Sequence, residues 1–318
     1  MAVLSYGDIQ IYAGSGCPDL AQGIADYLNK PLTSWNIIDF PNENIWVQLH
    51  GSARGKDVYL ITSHHKPVHR NIMEMLIAID CLKRDSAGRI TVVVPYLAYS
   101  QSDQKTQPRV PITARLIADL IETAGADRWI TVDLHAGQIQ GFYKIPGDSL
   151  TARHIFVNHL KTKDLSNAVL VTPDLGFAKT GRKYADALNL PLAFVEKRRL
   201  GNDLRREALT LIGDVDGKDC IIVDDLVDTA GSITQAVQVV KDHGAKDVDI
   251  VFTHPVLSDP ACERLRASSI REIITTDTIP IREDHGLNNL KVLSTDELLG
   301  EVIMRSHEGR SVGELFDE

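Results

Sequence analysis

Short apolar runs rich in β-branched residues recur along the chain, and they predict its architecture. They are Val58-Tyr59-Leu60-Ile61, Ile90-Thr91-Val92-Val93-Val94, Trp129-Ile130-Thr131-Val132, Ala168-Val169-Leu170-Val171, Cys220-Ile221-Ile222-Val223 and Val248-Asp249-Ile250-Val251-Phe252. They lack strict polar/apolar alternation, so each predicts a strand buried on both faces of a parallel sheet. Helical repeats lie between them. Residues 72–83 place Ile72, Met75, Leu76 and Ile79 at helical spacing. Residues 112–123 do the same with Leu116, Ile117, Leu120 and Ile121, and residues 232–243 with Ile233, Ala236, Val237 and Val240. Alternating strands and helices predict an α/β fold with parallel sheets and right-handed crossovers. Segments 125–132 and 244–251 each read Gly-Ala followed by a strand. This repetition suggests two similar halves, divided near residues 147–155.

Composition narrows the function. The chain has 318 residues, enough for about two domains. A net charge of −9 argues against a general nucleic-acid binder, which needs a basic surface to release counterions. Phosphate ligands remain open, because a few cations and backbone N–H groups can hold a polyphosphate locally, helped by a divalent ion. No window approaches the roughly 18 apolar residues of a membrane span, and no signal peptide is expected, so the expected setting is cytoplasmic, with no membrane partner. Cys17, Cys81, Cys220 and Cys262 form no CxxC pair, so neither a zinc site nor a disulfide framework is indicated. Cys220 begins an apolar run and reads as a buried free thiol.

Ligands of open parallel sheets bind at the carboxyl ends of the strands, and the informative residues follow strands here. The strongest signal is Ile221-Ile222-Val223-Asp224-Asp225-Leu226-Val227-Asp228-Thr229-Ala230-Gly231-Ser232. A strand predicted to end at Val223 runs into three carboxylates and then opens a helix. One helix cap uses one acid, and this loop has three. The helix N-terminus suits a phosphate, Gly231 permits close backbone approach, and Thr229 and Ser232 add hydroxyls. Asp224 and Asp225 can hold ribose hydroxyls, or magnesium through water. In Thr131-Val132-Asp133-Leu134-His135, an extended Asp-x-His would put both side chains on one side. A lone His is usually structural; one beside an Asp at a strand end is a better candidate for chemistry. Two further strands lead into Thr172-Pro173-Asp174-Leu175-Gly176-Phe177 and Glu196-Lys197-Arg198-Arg199.

Together these segments resemble the ribose-phosphate pyrophosphokinases. The 221–232 stretch is similar to the ribose-phosphate loop of the type I phosphoribosyltransferase fold, which those enzymes share. The resemblance implies two similar domains of that fold, each a mostly parallel sheet flanked by helices. Residues 1–150 would form the nucleotide side and residues 151–318 the ribose-phosphate side. It makes Asp174, Asp224, Asp225, Asp228, Thr229, Ala230, Gly231 and Ser232 the ribose 5-phosphate site. It makes His135 and Asp174 magnesium ligands, so Mg2+ is the expected cofactor, and His135 lies near the transferring group. Lys197 and Arg199 match the two cations of a flexible catalytic loop that neutralises the transferred phosphates. On the ATP side, Phe40, Asn42 and Asn44 resemble the segment that cradles adenine. Gln101, Ser102, Asp103 and Lys105 lie in the ATP loop, where Gln101, Ser102 and Gln104 replace the usual Arg, Gln and Arg.

The implied reaction moves the β,γ-diphosphoryl group of ATP to the C1 hydroxyl of ribose 5-phosphate, giving 5-phosphoribosyl 1-pyrophosphate and AMP for nucleotide biosynthesis. The implied assembly is a homo-oligomer, commonly a hexamer in relatives. The alternative is a catalytically weak regulatory paralogue that binds nucleotide and assembles with active subunits. The lost cations of the ATP loop favour it; His135, Asp174, Lys197 and Arg199 oppose it.

Overall fold

The computed structural model describes residues 6–199, 207–282 and 285–315. The chain divides into two compact units. One comprises Met1–Thr151, Thr278–Pro280 and Ser294–Glu318; the other comprises Ala152–Asp277 and Ile281–Leu293. The main boundary falls between Thr151 and Ala152, and the C-terminal segment groups with the first unit.

In order, the first unit contains β1 (Ile9–Ala13), α1 (Pro18–Tyr27), β2 (Trp35–Asp39), β3 (Ile45–Leu49), β4 (Asp57–Ile61) and α2 (Val68–Arg84). It continues with β5 (Arg89–Val93), α3 (Thr113–Ala124), β6 (Arg128–Val132), a 3-10 turn at Gly137–Phe142 and β7 (Gly147–Leu150). The second contains α4 (Arg153–Leu160), β8 (Ala168–Thr172), α5 (Ala178–Leu188), β9 (Leu192–Arg199), β10 (Glu207–Ile212) and β11 (Asp219–Val227). It ends with α6 (Gly231–Asp242), β12 (Val248–Pro255), α7 (Ala261–Ala267), β13 (Glu272–Thr276) and β14 (Leu290–Leu293). Helix α8 (Asp296–Glu308) then packs in the first unit against α1.

The first sheet runs β1-β4-β5-β6-β7, with every neighbouring pair parallel. The second runs β10-β9-β8-β11-β12-β13-β14, parallel except for the β9–β10 pair. Every residue of β4 and β8 is buried, as strands covered on both faces require. Helix α6 buries Ile233, Ala236, Val237 and Val240 as its spacing predicts. Helix α3 departs from its predicted face. It buries Ala114, Ile117, Ala118 and Ile121, while Leu116 and Leu120 stay exposed. Small alanines let it lie closer to the sheet and rotate the leucines outward. Cys220 is fully buried, and burial pushes its thiol up to about 12.

Both sheets are clamped at their amino-terminal edges by a buried carboxylate and an arginine. Asp57 opens β4, and Arg89, directly across from it on β5, bonds it at 2.7 and 2.6 Å. Tyr59 Oη donates to Asp57 at 3.1 Å, and His307 Nδ1 of α8 lies 2.7 Å from it. Arg89 also donates to the Ser306 carbonyl at 3.2 Å, so this cluster fastens α8 to the sheet. In the second unit Asp249 on β12 takes two bonds from Arg271, at 2.9 and 2.7 Å. Removing one partner of a buried pair strands the other charge. Asp57→Ala is therefore expected to lower stability by about 3 kcal/mol. It should also speed amide exchange in α8 more than in α6. Unchanged exchange in α8 would show that the cluster does not hold it.

Candidate active site

In the second sheet the chain leaves β8 towards β9 on one side and returns to β11 on the other. Strands β8 and β11 thus flank the point where the direction of winding reverses, where open parallel sheets place their ligands. Asp174 follows β8, and the carboxylate-rich turn follows β11. Asp174 is exposed; its Oδ1 accepts the Phe177 N–H at 3.0 Å, just ahead of α5. Phe177 is half-buried at the start of that helix.

Strand β11 runs to Val227, four residues beyond the predicted end, so Asp224 and Asp225 lie within it. Pairing with β12 continues that far, with Asp224 opposite Phe252 and Val227 opposite Pro255. Burial, then Asp225, then Asp174 hold the Asp224 carboxyl well above the ordinary carboxylate range. The turn is fixed from behind: Leu257 N–H donates to the Val227 carbonyl at 2.9 Å, and Arg264 to the Thr229 carbonyl at 2.9 Å. Ala230 adopts a left-handed φ of 60°, unusual for a residue with a Cβ, to swing the chain into α6. Ala230, as the N-cap residue, makes no side-chain cap bond to that helix. Asp228 Oδ1 is buried without a hydrogen-bond partner among the described residues, an orphaned acceptor. Thr229 and Ser232 are exposed at the mouth of the turn.

The first unit offers two loops from adjacent strands. Val94 N–H donates to the Ile130 carbonyl at 2.8 Å and Val132 N–H to Pro95 at 3.3 Å, so the chains leave β5 and β6 side by side. His135 is exposed just beyond β6. The expected extended Asp-x-His is not found. Asp133 turns with a φ of 39°, because its N–H bonds the Leu150 carbonyl at 2.8 Å beyond the strand end. In the other loop Gln101, Gln104 and Lys105 are exposed, while Asp103 is only 8% exposed. Asp103 accepts a hydrogen bond from Gln138 of the 3-10 turn. The Ser102 carbonyl accepts the Ala114 N–H at 3.1 Å, tying the loop to the start of α3.

Phe40 sits at the tip of the β2–β3 hairpin and is 46% exposed, so it is not a core residue. Phe40 N–H donates to the Asn44 carbonyl at 2.8 Å, and Asn42 Oδ1 accepts the Asn44 N–H at 3.2 Å. Arg70, unremarked in the sequence, holds Asp39 at 2.8 Å and Glu74 at 2.5 Å, bracing the hairpin against α2. Its signal was faint: an arginine four residues before a glutamate on a helix.

Lys197, Arg198 and Arg199 lie on β9, paired with β10 from Leu209 to Glu207. The expectation that the strand ends before them is therefore corrected. Their side chains, and residues 200–206, lie outside the described residues. Among the described residues no group of three or more His, Cys, Asp or Glu is arranged as a metal cage. Asp174 and Asp225 do act electrostatically on Asp224, so this strand end carries an excess of negative charge that a hard cation could offset through water. No described helix is long and apolar enough to cross a membrane.

The raised carboxyl of Asp224 has a consequence for stability. Its ionised form is disfavoured in the fold, so the penalty is absent at acid pH. It grows as pH rises through the ordinary carboxylate range and is complete above the raised value. Asp224→Asn is expected to raise the melting temperature at pH 7.5 in chelator by about 2–4 °C, the effect of ~1 kcal/mol. The gain should vanish below about pH 3, where the carboxyl is protonated in both states; an equal gain at both would refute the electrostatic account.

Comparison with known proteins is consistent over the whole length. The model of the N-terminal domain of ribose phosphate pyrophosphokinase matches residues 9–125, and that of the phosphoribosyl synthetase-associated domain matches residues 200–317. The ribose-phosphate pyrophosphokinase of Caldanaerobacter subterraneus subsp. tengcongensis is 45% identical over 97% of this chain and 98% of its own. That of Bacillus subtilis is 42% identical over 98% of both chains. The crystal structure of phosphoribosylpyrophosphate synthetase from Mycobacterium smegmatis superposes with a TM-score of 0.91 at 42% identity, covering 95% of this chain and 99% of that one. Both family models and the full-length relatives lead to one assignment: the chain belongs to the ribose-phosphate pyrophosphokinase family.

Proposed function

We propose that this protein transfers the β,γ-diphosphoryl group of ATP to the C1 hydroxyl of ribose 5-phosphate, giving 5-phosphoribosyl 1-pyrophosphate and AMP. The observation that carries the reading is the full-length match, 45% identical over 97% of the chain, which includes the nucleotide-side half. The C1 hydroxyl oxygen forms the new bond to the β-phosphorus, and the bond from that phosphorus to the AMP oxygen breaks. Such a transfer needs positioning and charge neutralisation more than covalent help.

The roles are assigned from the resemblance to the family. The turn at 228–232 and the N-terminus of α6 receive the sugar phosphate, with Thr229 and Ser232 as hydroxyl donors. Asp224 and Asp225 accept from the ribose hydroxyls. Phe40 offers its exposed face to adenine, with Asn42 and Asn44 beside it, and Lys105 supplies positive charge to the triphosphate. His135 and Asp174 are each assigned as magnesium ligands; the ion, when bound, neutralises phosphate oxygens. Lys197 and Arg199 stabilise charge on the transferred group. We place the enzyme in the cytoplasm as a homo-oligomer, which the exposed Leu116 and Leu120 of α3 support.

The direct test is an assay with ATP, ribose 5-phosphate and magnesium, in which AMP and the 1-pyrophosphate product appear together. ADP formation, or nucleotide binding without turnover, would refute the proposal. Lys197→Ala is expected to lower kcat about a hundredfold, the scale of one lost transition-state donor. KM for ribose 5-phosphate should change by less than about threefold, since that residue is assigned to the transferred phosphates. Equal losses in both would remove Lys197 from that role.

A further inference from the structure

The hydrogen bond between Asp103 and Gln138 joins the two loops on which the nucleotide side of the proposed site rests. Asp103 lies among the exposed Gln101, Gln104 and Lys105, yet is itself buried. Gln138 follows His135 by three residues, in a 3-10 turn anchored by the fully buried Ile139. A buried carboxylate facing a neutral amide is an expensive choice unless its acceptor-only chemistry matters. It does here, because a carboxylate can only accept, so it admits one orientation of the Gln138 amide, with Nε2 inward. The neighbouring Ser102 carbonyl holds the same loop to α3 at 3.1 Å, which leaves the loop fixed at two consecutive residues.

We infer that Asp103 and Gln138 are a positioning pair, setting the spacing between the polar tip of the ATP loop and the segment that presents His135. Neither side chain needs to touch substrate. Asp103, expected from the resemblance to contact ATP, instead acts through Gln138. The inference rests on the pyrophosphokinase reading of this site, and its test separates the two. AMP-forming turnover by the unaltered protein checks the reading alone.

Gln138→Glu then sets two carboxylates against each other. It is expected to lower kcat/KM for ATP by on the order of tenfold to a hundredfold, the scale of a small misplacement. KM for ribose 5-phosphate should stay within about twofold. The double variant Asp103→Asn with Gln138→Glu exchanges donor and acceptor, and should recover most of the loss. Asp103→Ala reads the same loss without added charge, and serves if the paired carboxylates prevent folding. A Gln138→Glu enzyme with unaltered ATP kinetics would overturn the inference. So would an exchanged pair no better than either single variant, or a loss falling equally on both substrates.

Discussion

Asp224 is held where its charge is least welcome: half-buried at the end of β11, beside Asp225 and in the field of Asp174. Strand pairing with β12 and the bonded turn behind it hold its backbone, and the Asp225 N–H donates to its Oδ1 at 3.0 Å. The fold therefore pre-assembles a demand for positive charge or for hydrogen-bond donors. The strained φ of Ala230 and the orphaned acceptor of Asp228 belong to the same arrangement. Unfavourable features gathered at one strand end mark a place shaped for a ligand rather than for stability.

That imbalance requires rigid support, and the opposite edges of the sheets provide it. Asp57 with Arg89, and Asp249 with Arg271, are satisfied charges at the amino-terminal ends of the strands. The two units thus use one plan, with a buried carboxylate paired to an arginine at the amino-terminal edge of each sheet. The first clamp also recruits α8 through His307 and Ser306, which explains why the C-terminal segment returns to the first unit.

The sequence was most legible where periodicity and burial coincide. The six apolar runs are strands, and the three helical repeats are helices. The return of α8 was not legible, since it depends on contacts such as Asp57 with His307, 250 residues apart. The β11 and β9 extensions were missed for a related reason. Charged residues end a strand by pattern, but neighbouring strands kept them in register. Asp133 was misread because a single long-range bond to Leu150 outweighed the local extended preference. Asp174 and residues 224–232 were legible because ligand chemistry at a strand end is written in contiguous residues. Asp103 was visible in its loop, but its bond to Gln138, thirty-five positions later, is a tertiary contact that local pattern does not carry.

The ATP loop shows why shape and charge can vary separately in one segment. Its shape depends on Ser102 and Asp103, whose bonds run inward to Ala114 and Gln138. Its charge depends on the outward residues at 101, 104 and 105. Glutamine at 101 and 104 removes two cations relative to the usual family pattern, yet neither residue lies at an inward bond. Exchanging Arg for Gln here alters the local field and leaves the loop's attachment untouched. Charge at the exposed positions can therefore vary without disturbing the inward bonds that fix the loop.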